Sequence, residues 1–515
     1  MSSYRPNGKV ILLVALILAA GFLLRTYKAV ELEKIPHDDV ISYLVAAGHL
    51  GDYHNLTKEL AEQPRWLENR MWRNLLTPEA GAPLASWATT VDDLQQHDIH
   101  PPAYFLWLNL VLRALPDVSP WTGWISNSVF FLLNGLLLVT LGWRLLPRPE
   151  AALVGLLIWV VAVATIKTAL VARHYECLTT ISLLSALLLA RTYSQRDLDT
   201  RSIVLFGVLT TLGFLINYQY LYLGAALSCS ILYFHRNQPA RVFWCGVTIG
   251  GGVLMGLWLY PALLQQSQEV RSWNQSTDTG DLLFRLRNTV EEPLKFSVFA
   301  TLTIIYIVAR NRSAWRTVPA PLYWLTGLTF LFISLTYLGF LTPKHAMGER
   351  YLASVWPFLA LMLGALVYQY WQHPWYRYAA ILLICIPGLL FLGKKEKTPP
   401  PPPSLQDAVF VIADFNERGS WPTIAARLPA AQHTLVAPQS SLLDDPSWQS
   451  ELDNWRGQQG MLISSRSLSG NSQSKQKRLL TMLATTHAIS PIKHGDRNLQ
   501  YLQLIPRESS AGKKP

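Results

Sequence analysis

Along most of this chain the apolar residues come in blocks rather than at a short period. Runs lie near 9–25, 103–115, 125–146, 150–170, 175–192, 202–217, 219–235, 241–264, 296–310, 320–341, 351–371 and 376–393. A helix needs about 20 mostly apolar residues to cross the hydrocarbon of a bilayer, so the pattern predicts an all-α polytopic membrane domain with about 11–13 transmembrane helices. The first run lacks a clear small-x-small cleavage site and leads directly into "LLRTYKAVELEK", which predicts a retained anchor. The run 103–115 is short and ends at Arg113. Either it is re-entrant or the basic turn "GWRLLPRPE" that follows the next run is not cytoplasmic, and the number of spans stays open there.

Past the last run the pattern changes. "KKEKTPPPPPS" is a charged, semi-rigid polyproline spacer. Beyond it "AVFVIADF", "HTLVAP", "GMLISS" and "YLQLI" predict strands, alternating with helical stretches near 421–428, 446–456 and 475–486. That alternation predicts a small α/β domain. The expected organisation is a membrane domain over 1–395, whose first outer loop is 26–102, a proline-rich linker over 396–404, and an α/β domain over 405–515 with a flexible C-terminal tail. No glycine-rich phosphate loop lies in the last part, so a structural or docking role is expected for it. Within the long loop, "PRWLENRMWRNLL" sets Trp66, Met71, Trp72 and Leu75 among Arg65, Arg70 and Arg73. This predicts a helix lying in the membrane interface; a helix packed on the loop's own core is the alternative.

Composition sharpens the class. Half of the 515 residues are hydrophobic and only 15% are charged, with 19 tryptophans, which excludes an ordinary soluble enzyme. The net charge of +11 suits a membrane protein with basic cytoplasmic loops, and no clustered basic face points to nucleic acid. Cys177, Cys229, Cys245 and Cys385 fall in or beside apolar runs, with neither disulfide nor metal spacing.

Charge also orients the chain. Arg5 and Lys9 precede the first run, and the groups Arg191/Arg196/Arg201, Arg236/Arg241 and Arg310/Arg312/Arg316 mark short basic loops expected on the cytoplasmic side. The loops at 217–219, 265–293 and 342–350 then face outward, with 26–102 and the C-terminal region.

Four polar constellations fall on that outer side. In "IPHDDVISYL", Asp38 and Asp39 open a helix-compatible stretch, where simple N-capping is the plain alternative to chemistry. In "QQHDIHPPAYF", Pro101 and Pro102 keep His97, Asp98 and His100 out of the following helix. The histidine pair is a weak zinc signal, far weaker than i, i+4 on a helix. The third is "IKTALVARHYECL", with Lys167, Arg173, His174, Tyr175 and Glu176; the fourth is "TPKHAMGERYLASVW", with Lys344, His345, Glu349 and Arg350. Cations on the side opposite to the basic loops suit an anionic lipid headgroup, since guanidinium and ammonium groups bind phosphate strongly.

The order of an early acidic pair, "D-x-H-P-P" opening an apolar run, "A-R-x-Y" and "E-R-Y-L" before a later span resembles the membrane glycosyltransferases of the GT-C fold. The branch it is most similar to is the protein-mannosyltransferase/aminoarabinose-transferase-like family, which uses polyprenyl-phosphate sugars. The likeness covers residues 1–395, most densely the first half, and Asp39 stands where that family more often has Glu. The resemblance implies that Asp38 engages the acceptor hydroxyl as base or orienter, with Asp39 beside it. It implies that Asp98 and His100 line the same cavity, and that Arg173 and Arg350 hold the lipid-phosphate leaving group. Tyr175, Lys344 and His345 are nearby substrate-binding candidates. The expected reaction moves a sugar from a polyprenyl-phosphate donor to a lipid, glycan or protein acceptor on the outer face of a bacterial inner membrane, with inversion and with no cofactor or bound metal. A transporter of lipid-linked sugars is the rival; it would spread ionisable residues along a mid-membrane path. A noncatalytic scaffold would have little use for the outer clusters.

Overall fold

The computed structural model describes residues 6–262 save 33–34, 64, 80–82 and 116, then 302, 306, 318–339, 349–370, 374–394, 407–414, 432–437, 455, 457–465, 471–492 and 499–507. The described helices begin with α1 (Gly8–Val30), α2 (His37–Ala47), α3 (Leu50–Glu62), α4 (Asn69–Asn74), α5 (Pro83–His97) and α6 (Ala103–Ala114). They continue with α7 (Thr122–Leu145), α8 (Pro149–Val161), α9 (Val163–Leu170), α10 (Tyr175–Gln195), α11 (Thr200–Ile216), α12 (Tyr220–Phe234) and α13 (Pro239–Leu259). The last are α14 (Ala320–Gly339), α15 (Trp356–Tyr370), α16 (Pro374–Gly393) and α17 (Asn471–Leu483). Two compact units emerge: one takes Met1–Ala29, Leu94–Trp107 and Gly123–Lys395, the other Val30–Asp93, Leu108–Thr122 and Glu396–Pro515.

In the first unit, α1, α7, α10, α13 and α16 are each long and apolar enough to cross a membrane, and α8 with α9 qualifies as one span bent by 57°. Shorter apolar helices accompany them over Thr200–Ile216, Tyr220–Phe234, Ala320–Leu335 and Trp356–Tyr368, with the Ala103–Trp107 part of α6. All the apolar runs of the sequence thus become helices except 296–310, which falls almost wholly outside the described residues. Large apolar side chains such as Leu12, Leu16, Trp244, Trp258 and Leu390 face outward, the arrangement a lipid solvent favours. Small residues let helices touch: a Cβ on Gly364 of α15 would stand 2.4 Å from the Ala151 carbonyl oxygen of α8.

The bend between α8 and α9 is not readable from the hydrophobic run that contains it. Ala162 turns extended (φ −65°, ψ 133°), which frees carbonyls inside an apolar region. Such groups need internal partners. The Thr165 hydroxyl donates to the Trp159 and Ala162 carbonyls (2.5 and 2.9 Å), and the fully buried Arg25 of α1 donates to Val160 (2.8 Å). The Arg25 guanidinium also lies 4.2 Å from the centroid of the Phe131 ring. Nearby, buried Glu176 of α10 accepts from Asn134 (2.9 Å) and Thr168 (3.1 Å), and it attracts Arg25 electrostatically.

The second unit holds a six-stranded sheet of order β1-β3-β2-β4-β6-β5. Its strands are β1 (Trp66–Glu68), β2 (Phe410–Asp414), β3 (His433–Ala437), β4 (Gly460–Ser465), β5 (His487–Ile492) and β6 (Leu499–Pro506). β2 pairs in parallel with β3 and β4, and β6 runs antiparallel to both β4 and β5. Phe410, Ile412, Leu435, Leu462 and Leu504 of the strands and Leu479 and Leu483 of α17 form its core. The four strands and the last helix expected from the sequence are present; the helical stretches expected at 421–428 and, but for Trp455, at 446–456 lie outside the described residues. β5 is unforeseen because Pro491 argues against a strand, yet β5 is an edge strand, where proline is tolerated.

The interfacial helix expected in the first loop is corrected. Trp66, Leu67 and Glu68 are a strand that pairs antiparallel with Leu435, Thr434 and His433. The Trp66 ring packs edge-on against Phe410 (centroids 5.5 Å apart) and lies 5.0 Å from Trp455, while Trp72 of α4 is fully buried. The aromatics that looked like membrane anchors are core residues of this unit. Elsewhere in it, Asp93 accepts from the Leu50 and Gly51 amides at the start of α3 (2.6 and 2.8 Å), and Asn109 donates to the Ala46 carbonyl (2.7 Å).

Candidate functional site

Four connectors of the membrane unit carry most of its polar chemistry: 98–102 before α6, 171–174 between α9 and α10, 217–219 between α11 and α12, and the 3-10 turn Glu349–Leu352 before α15. Each is built by local rules. Pro101 and Pro102 end the first; α5 stops at His97, α6 begins at Ala103, and Asp98 folds back on its own backbone. Asp98 Oδ1 accepts from the Ile99 amide, from the His100 amide (3.1 Å) and from His100 Nδ1, which fixes a proton on that nitrogen.

The second connector is held by α7. A Cβ on Gly123 would stand 2.7 Å from both the Ala172 nitrogen and the Leu170 oxygen, so only glycine lets the helix start lie this close. One turn along, Asn127 Nδ2 donates to the Val171 and Ala169 carbonyls (2.5 and 3.3 Å), and Tyr104 reaches Asn127 Oδ1 at 3.4 Å. Arg173 and His174 follow, both buried, at the N-terminal end of α10, where the helix dipole adds to the positive field. The third connector presents Asn217 and Tyr218. The fourth is tied to α10 through the Thr179 hydroxyl, which donates to Ala353 (3.2 Å), and it carries an exposed Arg350 stacked over Tyr351.

These connectors meet at His174. Its ring lies 5.5 Å from the His100 ring, 4.7 Å from Tyr175 and 6.3 Å from Tyr104, and its Nε2 pairs with the side-chain amide of Asn217. Burial, then the charges of His100, Arg173 and Arg350, hold the His174 imidazole well below the usual histidine range, so it is neutral. Asp98 goes the other way. Burial pushes its carboxyl up, but the charge and hydrogen bond of His100, with Arg173 and the Ile99 amide, outweigh it and set it at about 2. Burial, then Tyr260 and Asp98, push the Tyr218 hydroxyl well up, leaving it a neutral neighbour of that carboxylate. Among the described side chains at this convergence Arg173 and Arg350 stand against Asp98, an electrostatic setting for an anion.

Of the residues singled out from the sequence, Asp98, His100, Arg173, Tyr175 and Arg350 come together here. Asp38 and Asp39 belong to the other unit, in the first turn of α2. Asp39 is fully buried and Asp38 half-buried, and Pro36 occupies the N-cap, so neither aspartate holds the capping position. Lys344 and His345 lie outside the described residues. Among the described residues, no group of three or more His, Cys, Asp or Glu side chains has the geometry to hold a metal ion. Sequence reasoning noted His174 without giving it a role and missed Asn217 and Tyr218. Their only signal was polarity in a connector between two apolar runs.

The basic connectors form the opposite end of the same helices. Arg241 pairs with Asp197, Arg191 with Asp199 (3.3 Å), and Gln238 Nε2 donates to the Arg196 carbonyl (2.8 Å). Helices α11 and α12 run from that end to Asn217 and back.

No protein-family model matches the sequence, and no curated protein matches it. Among solved structures, ArnT from Cupriavidus metallidurans bound to undecaprenyl phosphate aligns with a TM-score of 0.53 at 12% identity, over 97% of this chain and 98% of that one. ArnT from Cupriavidus metallidurans in the apo state aligns at 0.48 and 11%, over 96% and 98%. The first of these likenesses, spanning membrane helices and C-terminal sheet alike, shows that the chain has the GT-C fold of ArnT.

Proposed function

We propose that this protein is an integral-membrane glycosyltransferase that moves a sugar from a polyprenyl-phosphate donor to an acceptor on the extracytoplasmic side. The observation that carries the reading is the convergence of Arg173, Arg350, Asp98 and His100 around a neutral His174, at the helix ends opposite the basic connectors. The rule that basic connectors lie on the cytoplasmic face supports an outer position for the cation-rich convergence. The ArnT structure with undecaprenyl phosphate supports this class of anionic lipid.

In this mechanism Arg173 and Arg350 meet the charge that develops on the departing polyprenyl phosphate, and preorganised cations in a water-poor site lower the barrier most where charge forms. Lys344 and His345 assist on the same side. A carboxyl held at about 2 is a weak base, so Asp98 keeps His100 oriented and protonated at Nδ1 instead of taking the acceptor proton. That proton falls to Asp38, with Asp39 as its neighbour. Attack from the face opposite the phosphate inverts the anomeric centre. The membrane is a bacterial inner membrane, and the C-terminal α/β domain is periplasmic.

Asp38→Asn tests the assignment. Transfer from a polyprenyl-phosphate sugar, followed by mass spectrometry of the glycosylated product, is expected to vanish while the lipid still binds. Undiminished transfer would remove Asp38 from the reaction. One observation favours transport instead: a bent span with Arg25 and Glu176 buried beside it. Those charges are engaged with backbone and side chains of the protein itself, which is how a structural cluster behaves. Movement of a lipid-linked sugar across a vesicle, with no glycosidic bond formed, would establish the transport reading.

A further inference from the structure

His174 has a fixed tautomer, and its direction follows from a chain of hydrogen bonds. The Gln219 amide, which can only donate, reaches Asn217 Oδ1 at 2.7 Å. Asn217 therefore turns its Nδ2 toward His174 Nε2, and an NH₂ group can only donate. His174 Nε2 is then the acceptor, and the ring proton of the neutral imidazole sits on Nδ1. That Nδ1 is buried, in a residue only 2% exposed, and it has no hydrogen-bond partner among the described residues. A buried N–H without an acceptor is costly and rare, and an explanation is owed for each one.

We propose that His174 Nδ1–H is a dedicated donor to a phosphate oxygen of the polyprenyl-phosphate ligand, a binding group distinct from the arginines. The surroundings choose the acceptor. Arg173 adjoins His174 in the chain, and His100 and Arg350 add to the positive field at its ring. A neutral or cationic ligand atom would gain nothing from that field, whereas an anionic oxygen is attracted by it and satisfies the orphan proton. A neutral donor also binds a dianion without adding a further charge that the buried site would have to desolvate. Asn217 acts through His174 as a positioning residue: it selects the tautomer.

This inference rests on the proposed lipid-phosphate substrate, and the experiment separates the two. The full-length protein in detergent is titrated with undecaprenyl phosphate, with undecaprenol, and with undecaprenyl phosphate in competition with inorganic phosphate. His174→Gln keeps an amide near the Nε2 position and loses the donor at Nδ1; His174→Asn keeps an amide near Nδ1. A hydrogen bond to a charged group predicts that His174→Gln weakens undecaprenyl phosphate binding roughly 10-fold or more, and that His174→Asn stays within about threefold of wild type. Undecaprenol binding should be the same in all three. Nitrogen-15 spectra of labelled histidine provide a readout that folding defects do not mimic: Nδ1 protonated and Nε2 bare in wild type, with the Nδ1–H resonance shifting on lipid addition. Loss of binding in Arg173→Ala but none in His174→Gln would overturn the His174 role and leave the substrate reading standing. A proton found on Nε2 would overturn it as well. Failure of the wild type to prefer undecaprenyl phosphate over undecaprenol, or full competition by equimolar inorganic phosphate, would remove the lipid-phosphate reading and the His174 contact with it.

Discussion

Among the described residues of the membrane unit, two groups of charged side chains, one wholly buried and one reaching the exposed Arg350, are built on opposite plans. Arg25 and Glu176 attract each other electrostatically without touching, and their hydrogen bonds go to Val160, Thr165, Asn134 and Thr168 of the same unit. Around His174, Arg173 and Arg350 outweigh Asp98, and an imidazole N–H is left over. The first group is closed in charge and repairs the break between α8 and α9, with Arg25 Nε lacking a hydrogen-bond partner among the described residues. The second is open in charge: among the described residues its arginines exceed its carboxylate, and that excess is what separates the two groups.

The contrast breaks most visibly in the closed group. Glu176→Leu takes the acceptor from Asn134 and Thr168 and the attracting carboxyl from Arg25, and a buried polar group left unsatisfied costs about 1–3 kcal/mol. Thermal unfolding in detergent should show a drop, and the double change Arg25→Met with Glu176→Leu should recover part of it. In the open group Arg173→Ala should do the reverse. Binding of undecaprenyl phosphate falls about 10- to 100-fold, as expected for a charged hydrogen bond, while the unfolding temperature barely moves.

A third change links the two groups through backbone. Gly123→Ala puts a methyl 2.7 Å from the Ala172 nitrogen and pushes the Arg173–His174 connector away from α7. Overpacking of this kind costs about 1–3 kcal/mol, and lipid binding should weaken together with stability. The smallest effect is a pH dependence. The Asp98 carboxyl lies at about 2 against a usual 3.8, so its stabilisation is whole above pH 3.8 and disappears as pH falls through 2. The stability difference between wild type and Asp98→Asn should therefore be flat from neutral pH down to about 4 and shrink below it, measured by denaturation across that range.

Much of this was legible in the residues themselves. Blocks of apolar residues placed the helices, because in lipid the helix is the one open-ended way to satisfy the backbone. Pro101 and Pro102 kept Asp98 and His100 out of α6, and "ARHY" and "ERY" marked two of the connectors that meet. What was hidden depends on partners distant in the chain. Ala162 sits in an unbroken apolar run, and its bend is made tolerable by Thr165 together with Arg25, more than a hundred residues earlier. Asn217 is one polar residue between two spans, and its meaning comes from His174 across the bundle. Trp66 and its neighbours alternate with arginines in a way that a surface helix and an edge strand share. The deciding fact was a pairing with β3, far down the chain.

That pairing also sets a clock on biosynthesis. The Thr434 hydroxyl bonds to the Leu67 carbonyl across a separation of 367 residues. At roughly 5–20 residues per second, on the order of 20–70 seconds pass between the synthesis of β1 and that of its partner. Throughout that interval the strand is a solitary edge without its ladder, while the membrane helices from α7 to α16 are made after it and before its partner. The segment carrying β1 is thus among the earliest parts to leave the ribosome and among the last to finish folding. Chaperones that shield unpaired strands have their longest opportunity there.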